Sequence, residues 1–168
     1  MLGAACPECG LAAGSVFGTE VAGLLRATAA SWQVALAGPD VRKRPALEVW
    51  SVLEYGSHCR DVYLIFGGRL RLLLDQDDPE FENWDQDAAA LEKRYWEGDP
   101  AVVAAELGAA AESTAREFDG VAGGRWSRTG RRSNGSVFTV ESLGRYLVHD
   151  LVHHLHDVGQ PLGAEAAG

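Results

Sequence analysis

The chain has 168 residues, 46% hydrophobic and 23% charged, a composition that suits one globular domain with a substantial core. Fifteen Lys and Arg against twenty-four Asp and Glu leave a formal net charge of -9, which argues against nucleic acid as a partner, because a duplex binder needs a basic face to displace counterions. No apolar run approaches the roughly 20 residues that span a bilayer, and three cysteines behind a start that is not basic-then-apolar point to a reducing cytoplasm.

Residues 1–15 are small and Gly-rich, carry Cys6-Pro7-Glu8-Cys9-Gly10, and read as a flexible arm. A first long helix is predicted from Val16 to Leu36, with Val21, Leu24, Leu25, Trp32 and Leu36 on one stripe and Gly38-Pro39 as a breaker. The loop after it is expected to be short. A second helix is predicted over Leu47–Leu74, where Leu47, Tyr55, Val62 and Ile65 point the same way as His58 and so turn that histidine towards a core.

Beyond Asp77-Asp78-Pro79 lies an acidic, aromatic connection, Phe81 to Trp84, and a shorter helix predicted over Asp85–Glu97. Asp99 as N-cap and Pro100 at the first helical position open a third long, Ala-rich helix to about Phe118. Gly120 to Gly135 reads as a loop with a short extended piece. Thr139 caps a fourth long helix over Val140–Val158, and Gly159 ends it. The expected fold is therefore all-α: a four-helix bundle over residues 16–159, with a long crossover between its second and third long helices and a frayed tail at 160–168.

The chemistry concentrates in two segments. All five histidines lie in them: His58 in the first, and His149, His153, His154 and His156 in the second. His149 and His153 form an i, i+4 pair, a spacing that can chelate. At about 100° per residue, however, the apolar stripe of the last helix centres on Leu151 and Leu155. Asp150 and His154, also an i, i+4 pair, border that stripe and face inwards. His58, Asp150 and His154 are thus the preferred metal ligands, with His149 and His153 as the alternative pair after a small helix rotation. Such a His/carboxylate trio suits zinc with open coordination positions, and nickel and iron stay open as alternatives.

Trp50-Ser51-Val52 followed by Glu54 and His58 resembles the W-[ST]-V-x-[DE]-x-x-x-H segment of the DinB-like four-helix superfamily. The segment is most similar to its mycothiol-dependent maleylpyruvate isomerase and S-transferase branch. The last helix of that branch carries E-x-x-x-H-x-x-D-[LV], which Asp150 to Val158 resembles with Asp150 in place of Glu. The resemblance covers roughly Val16 to Val158. It implies His58, Asp150 and His154 as ligands, mycothiol as cosubstrate, and a small-molecule electrophile as the second partner. A metal-activated thiolate would attack that electrophile in S-transfer or isomerisation, with His153 as the residue that moves protons.

Other residues carry two readings each. Glu54 and Asp61, one turn either side of His58, are either carboxylates orienting its imidazole or members of salt bridges. Asp157 reads as a local cap or pair. Cys6 and Cys9 are half of a zinc knuckle, a redox pair, part of a second metal site with two of the spare histidines, or two free thiols on an irregular arm, the last being preferred. Cys59 reads as a core thiol. Arg125, Arg128, Arg131 and Arg132 surround Trp126 as a solvated loop or a carboxylate-binding group, and Trp84 and Trp96 pack over the bundle end or line a pocket. Two rivals to thiol transfer remain: a non-catalytic metal-binding bundle that works as a homodimer, and a metal-dependent hydrolase.

Overall fold

A computed structural model describes residues 4–163; the last residues of the predicted frayed tail, 164–168, lie outside the described part. Four long helices carry the fold: α1 (Gly18–Leu36), α2 (Val52–Asp75), then, after a seven-residue α3 (Gln86–Glu92), α4 (Pro100–Asp119) and α5 (Val140–Asp157). Their ends are set by side chains. Asp99 accepts from the Ala101 and Val102 amides with Pro100 at the first position of α4, and Thr139 and Ser142 cap each other's backbone at the start of α5. Gly159, at φ +69°, closes α5, with the Gln160 amide donating to the Leu155 carbonyl.

The bundle is ordered so that α1 and α2 each pack against both α4 and α5. Consecutive helices α1 and α2 therefore sit diagonally, as do α4 and α5. Its core runs through Leu25 and Trp32, Tyr63 and Leu70, Leu107 and Phe118, and Leu147 and Leu151, all buried. The Tyr63 hydroxyl donates to the Leu25 carbonyl at 3.0 Å and lies 2.6 Å from Thr28 Oγ1, so these two buried hydroxyls are satisfied.

Four expectations are corrected. The second helix begins at Val52, not Leu47, because Ser51 and Glu54 form a reciprocal capping box: Ser51 Oγ accepts from the Glu54 amide and the Glu54 carboxylate from the Ser51 amide. Leu47 consequently lies in the loop and is 83% exposed, and the connection after α1 is long instead of short. The helix predicted over Asp85–Glu97 divides into α3 and a 3₁₀ turn at Tyr95–Glu97, because Arg94 adopts a left-handed conformation, φ +51°. The fold is also not purely helical. A small sheet of β1 (Glu80–Phe81), β2 (Thr129–Arg132) and β3 (Val137–Thr139) has β1 parallel to β2 and β2 antiparallel to β3. Gly135, at φ +90°, makes the tight turn between β2 and β3. Gly130 of β2 lies so close to the end of α2 that a Cβ there would stand 2.5 Å from Leu73 Cδ1, which fixes the sheet on that helix.

The N-terminal residues read as a flexible arm are described from residue 4 onward. They form a turn at Cys6–Gly10 and a 3₁₀ turn at Ala13–Ser15 that contacts α5. No helix among the described residues is long and apolar enough to cross a membrane.

Candidate metal centre

His58 sits in the second turn of α2, whose capping box fixes the helix start seven residues earlier. Asp150 and His154 lie one turn apart on α5. Because α2 and α5 are packed neighbours, the three side chains meet, each offering a ligand atom within 4.8 Å of the other two. The His58 and His154 rings are 4.9 Å apart at 82°.

His58 is 1% exposed, and neither of its ring nitrogens has a hydrogen-bond partner among the described residues. A satisfied core histidine does not look like this: buried nitrogens are normally paired, and leaving one unpaired costs about 1–3 kcal/mol. Burial, followed by the neighbouring His154, pushes the His58 pKa down to about 3, so the ring is a neutral imidazole, the form that donates a lone pair. Trp84 stacks on one side of it, rings 5.3 Å apart and 4° from parallel, and Trp50 lies 5.4 Å away.

His154 is oriented from behind. Its Nδ1 lies 2.8 Å from the Asp157 carboxylate, while Nε2 lies 3.8 Å from Asp150. A carboxylate on Nδ1 fixes the tautomer with the lone pair on Nε2, the arrangement common behind metal-binding histidines. Asp157 thus makes the local pair expected of it, with His154 on the same helix. Burial pushes the Asp150 carboxyl above its ordinary range, with His154, His149 and His153 pulling against it.

Neither candidate carboxylate on α2 reaches His58. Glu54 is held by Arg44 and by the Ser51 backbone, and Asp61 by Lys93 at 2.7 Å, Tyr95 at 2.6 Å and Arg60 at 3.0 Å. Both belong to salt bridges that anchor the connections to α2. Burial disfavours the charge on each, but their cationic and hydroxyl partners outweigh it and hold both carboxyls below the ordinary range. His149 and His153, the alternative pair, meet Cys6 and Cys9 instead of His58. Cys59 is fully buried, and burial pushes its thiol well up.

Two of the three, His58 and Asp150, open onto a cleft of about 90 Å³ that is also lined by Trp84, Asn83, Arg69 and Arg132. Of the four loop arginines, Arg128 is spent on the Leu73 and Gln76 carbonyls and Arg131 on Asp78, while Arg132 points to the cleft across Phe138 and Tyr146. Arg69, 6% exposed, lies over Phe66 and Phe81 and donates to the Glu82 carbonyl at 3.1 Å. Neither Arg69 nor Arg132 pairs with a carboxylate among the described residues, and Arg132 Nε is buried without a partner. Burial, then the Arg132 charge, pulls the Arg69 pKa down to about 10. Arg69 was missed in the sequence, yet it stands three turns beyond His58 on the same face of α2. A cation in an otherwise apolar stripe was the available signal. Trp84 lines this cleft, whereas Trp96 is 41% exposed at the far end of the connection.

Residues 24–158 match the family model of the DinB superfamily. Among solved structures, YfiT from Bacillus subtilis, described as a probable metal-dependent hydrolase with an unusual four-helix bundle topology, is similar with a TM-score of 0.73. The two are 19% identical over 83% of this chain and 82% of that one, so the likeness is one of fold. No curated protein matches the chain.

Proposed function

Because the chain belongs to the DinB superfamily, with the match running from residue 24 to 158, we propose that it is a metal-dependent enzyme whose ion is held by His58, Asp150 and His154. One observation carries this: His58, buried with neither ring nitrogen partnered among the described residues, offers a ligand atom within 4.8 Å of one on Asp150 and one on the tautomer-fixed His154. A divalent ion would take one lone pair from each of the three groups, and the donor set of two imidazoles and a carboxylate suits zinc, with nickel and iron as alternatives. When bound, the ion supplies Lewis-acid chemistry, lowering the pKa of a thiol or of water so that a nucleophile exists near neutral pH.

The residues around the trio supply the rest. Asp157 holds the His154 tautomer. Trp84 and Trp50 keep water from His58. Arg69 and Arg132 present two guanidinium groups without carboxylate partners, a pair suited to a small substrate that carries carboxylate or another anion. The preferred reaction is transfer or isomerisation with a low-molecular-weight thiol such as mycothiol as cosubstrate. The mycothiol-like segments at Trp50–His58 and Asp150–Val158 support it, and a carboxylate-bearing electrophile or thiol would engage the arginines. Hydrolysis is the second reading, favoured by the likeness to YfiT. His153, packed beside Cys6 and Glu8, is not among the residues lining the cleft, so it is not placed to move protons there.

The test is turnover of a carboxylate-bearing electrophile by zinc-loaded protein with and without mycothiol. Thiol-dependent turnover, with a raised KM in Arg132→Met and loss of bound metal in His58→Ala, is the expected result. Turnover that needs only water selects hydrolysis. Unchanged metal content in His58→Ala overturns the site.

A further inference from the structure

The motif left over from the site is Cys6-Pro7-Glu8-Cys9-Gly10. The Cys6 amide donates to the Leu11 carbonyl at 3.0 Å and the Gly10 amide to the Cys6 carbonyl at 2.9 Å, with Gly10 at φ +76°. This is a closed knuckle, and it lies on α5 where His149 and His153 are one turn apart. Cys6 Sγ stands 3.7 Å from His153 Nδ1. The His153 Nε2 on the other side of the ring lies 3.2 Å from the Glu8 carboxylate. Cys6, Cys9, His149 and His153 each place one ligand atom within 4.8 Å of the other three.

We propose that these four residues bind a second divalent ion, zinc, in a closed site that clamps the N-terminal arm onto α5. Two sulfurs at C-x-x-C spacing and two imidazoles at i, i+4 are a complete tetrahedral set for zinc, and thiolates exclude magnesium and calcium. Glu8 completes it in the way metal-binding histidines are usually completed: a carboxylate on the outer nitrogen turns the inner one to the ion. Four protein ligands leave no open position, so the site is a structural one. The physical need is visible in the arm, which among its described residues packs only Cys9 and Leu11 against the core cluster and otherwise buries little beyond Ala13. The cross-link joins segments some 140 positions apart in sequence and holds α5 at His153, the residue next to His154. The site differs from the His58 centre in every ligand, so either can fail without the other.

Metal content and zinc X-ray absorption decide it. The protein purified under reducing conditions is expected to hold two equivalents of zinc. His58→Ala should keep one, and its absorption spectrum should show two sulfur ligands at about 2.3 Å and two nitrogens at about 2.0–2.1 Å. The double variant Cys6→Ser/Cys9→Ser should lose that equivalent, keep the one that depends on His58, and be cut faster in the arm by a protease. Absence of zinc–sulfur scattering in both wild type and His58→Ala overturns the proposal, as does a Cys6–Cys9 disulfide under those conditions. Should the double variant not fold, the spectrum of the wild type still decides.

Discussion

Replacing His58 by leucine separates a metal ligand from a packed core histidine, because the two roles predict opposite signs. In chelator, the wild type keeps two unpartnered nitrogens on a side chain only 1% exposed. Removing such groups for an apolar side chain of similar volume should stabilise the chelator-treated protein by about 1–3 kcal/mol. For a chain of this size that is roughly 2–4 °C of melting temperature per kcal/mol. With zinc in hundredfold excess over its dissociation constant, the wild type should gain about 2.7 kcal/mol from the His58 centre, and His58→Leu should gain none of it. The variant should therefore be the more stable protein in chelator and show the smaller zinc-induced shift. The cysteine clamp contributes equally to both proteins and cancels. Urea unfolding with chelator and with zinc measures all four values. A variant less stable than wild type in chelator by more than about 1 kcal/mol, with an undiminished zinc shift, would mean that His58 is a packing residue and the reasoning is wrong.

Asp61→Asn tests the anchor of the connection on α2. The folded-state pKa of Asp61 is depressed, so its contribution is present above the ordinary value of 3.8 and lost as pH falls through the folded value. The variant should be about 1–3 kcal/mol less stable at pH 7, and the gap should close in urea titrations as the pH is taken below 3.8. Ser51→Ala removes one half of the capping box and should lower stability by about 0.5–2 kcal/mol in the same assay. Two glycines should respond in opposite directions. Gly23 of α1 has open space around its Cβ position, so Gly23→Ala should stabilise by about 0.5–1 kcal/mol through helix propensity. At Gly56 a Cβ would stand 2.7 Å from Leu36 Cδ2, and overpacking of about 1–3 kcal/mol should outweigh the same gain, so thermal melts of Gly56→Ala should move down.

What sequence alone determined was the part governed by local periodicity and end chemistry. Asp99-Pro100, Thr139 and Gly159 mark helix ends because their side chains or φ angles act within one turn, and the ends of α4 and α5 fall within a residue or so of those marks. The apolar stripe of α5 has a single centre, and the residues bordering it at Asp150 and His154 meet His58 in the structure, whereas His149 and His153 meet Cys6 and Cys9. The start of α2 was also written locally, in Ser51 and Glu54, although the apolar Leu47 suggested an earlier beginning.

Tertiary structure decided the rest. Strands of two to four residues are too short to show an alternating pattern, and they exist because β2 lies on the end of α2 and gathers β1 from a distant connection. That sheet brings Arg132 into the cleft while Arg128 and Arg131, its neighbours in sequence, are spent on backbone and Asp78. The diagonal placement of α1 and α2 sets α2 beside α5 and so brings His58 to Asp150 and His154, some ninety positions later. The arm's fold onto α5, which gives Cys6 and Cys9 their histidines, likewise depends on contacts between the two ends of the chain. No periodicity within either segment encodes such a meeting, because a helix wheel fixes a side chain's direction and only packing fixes what stands opposite it.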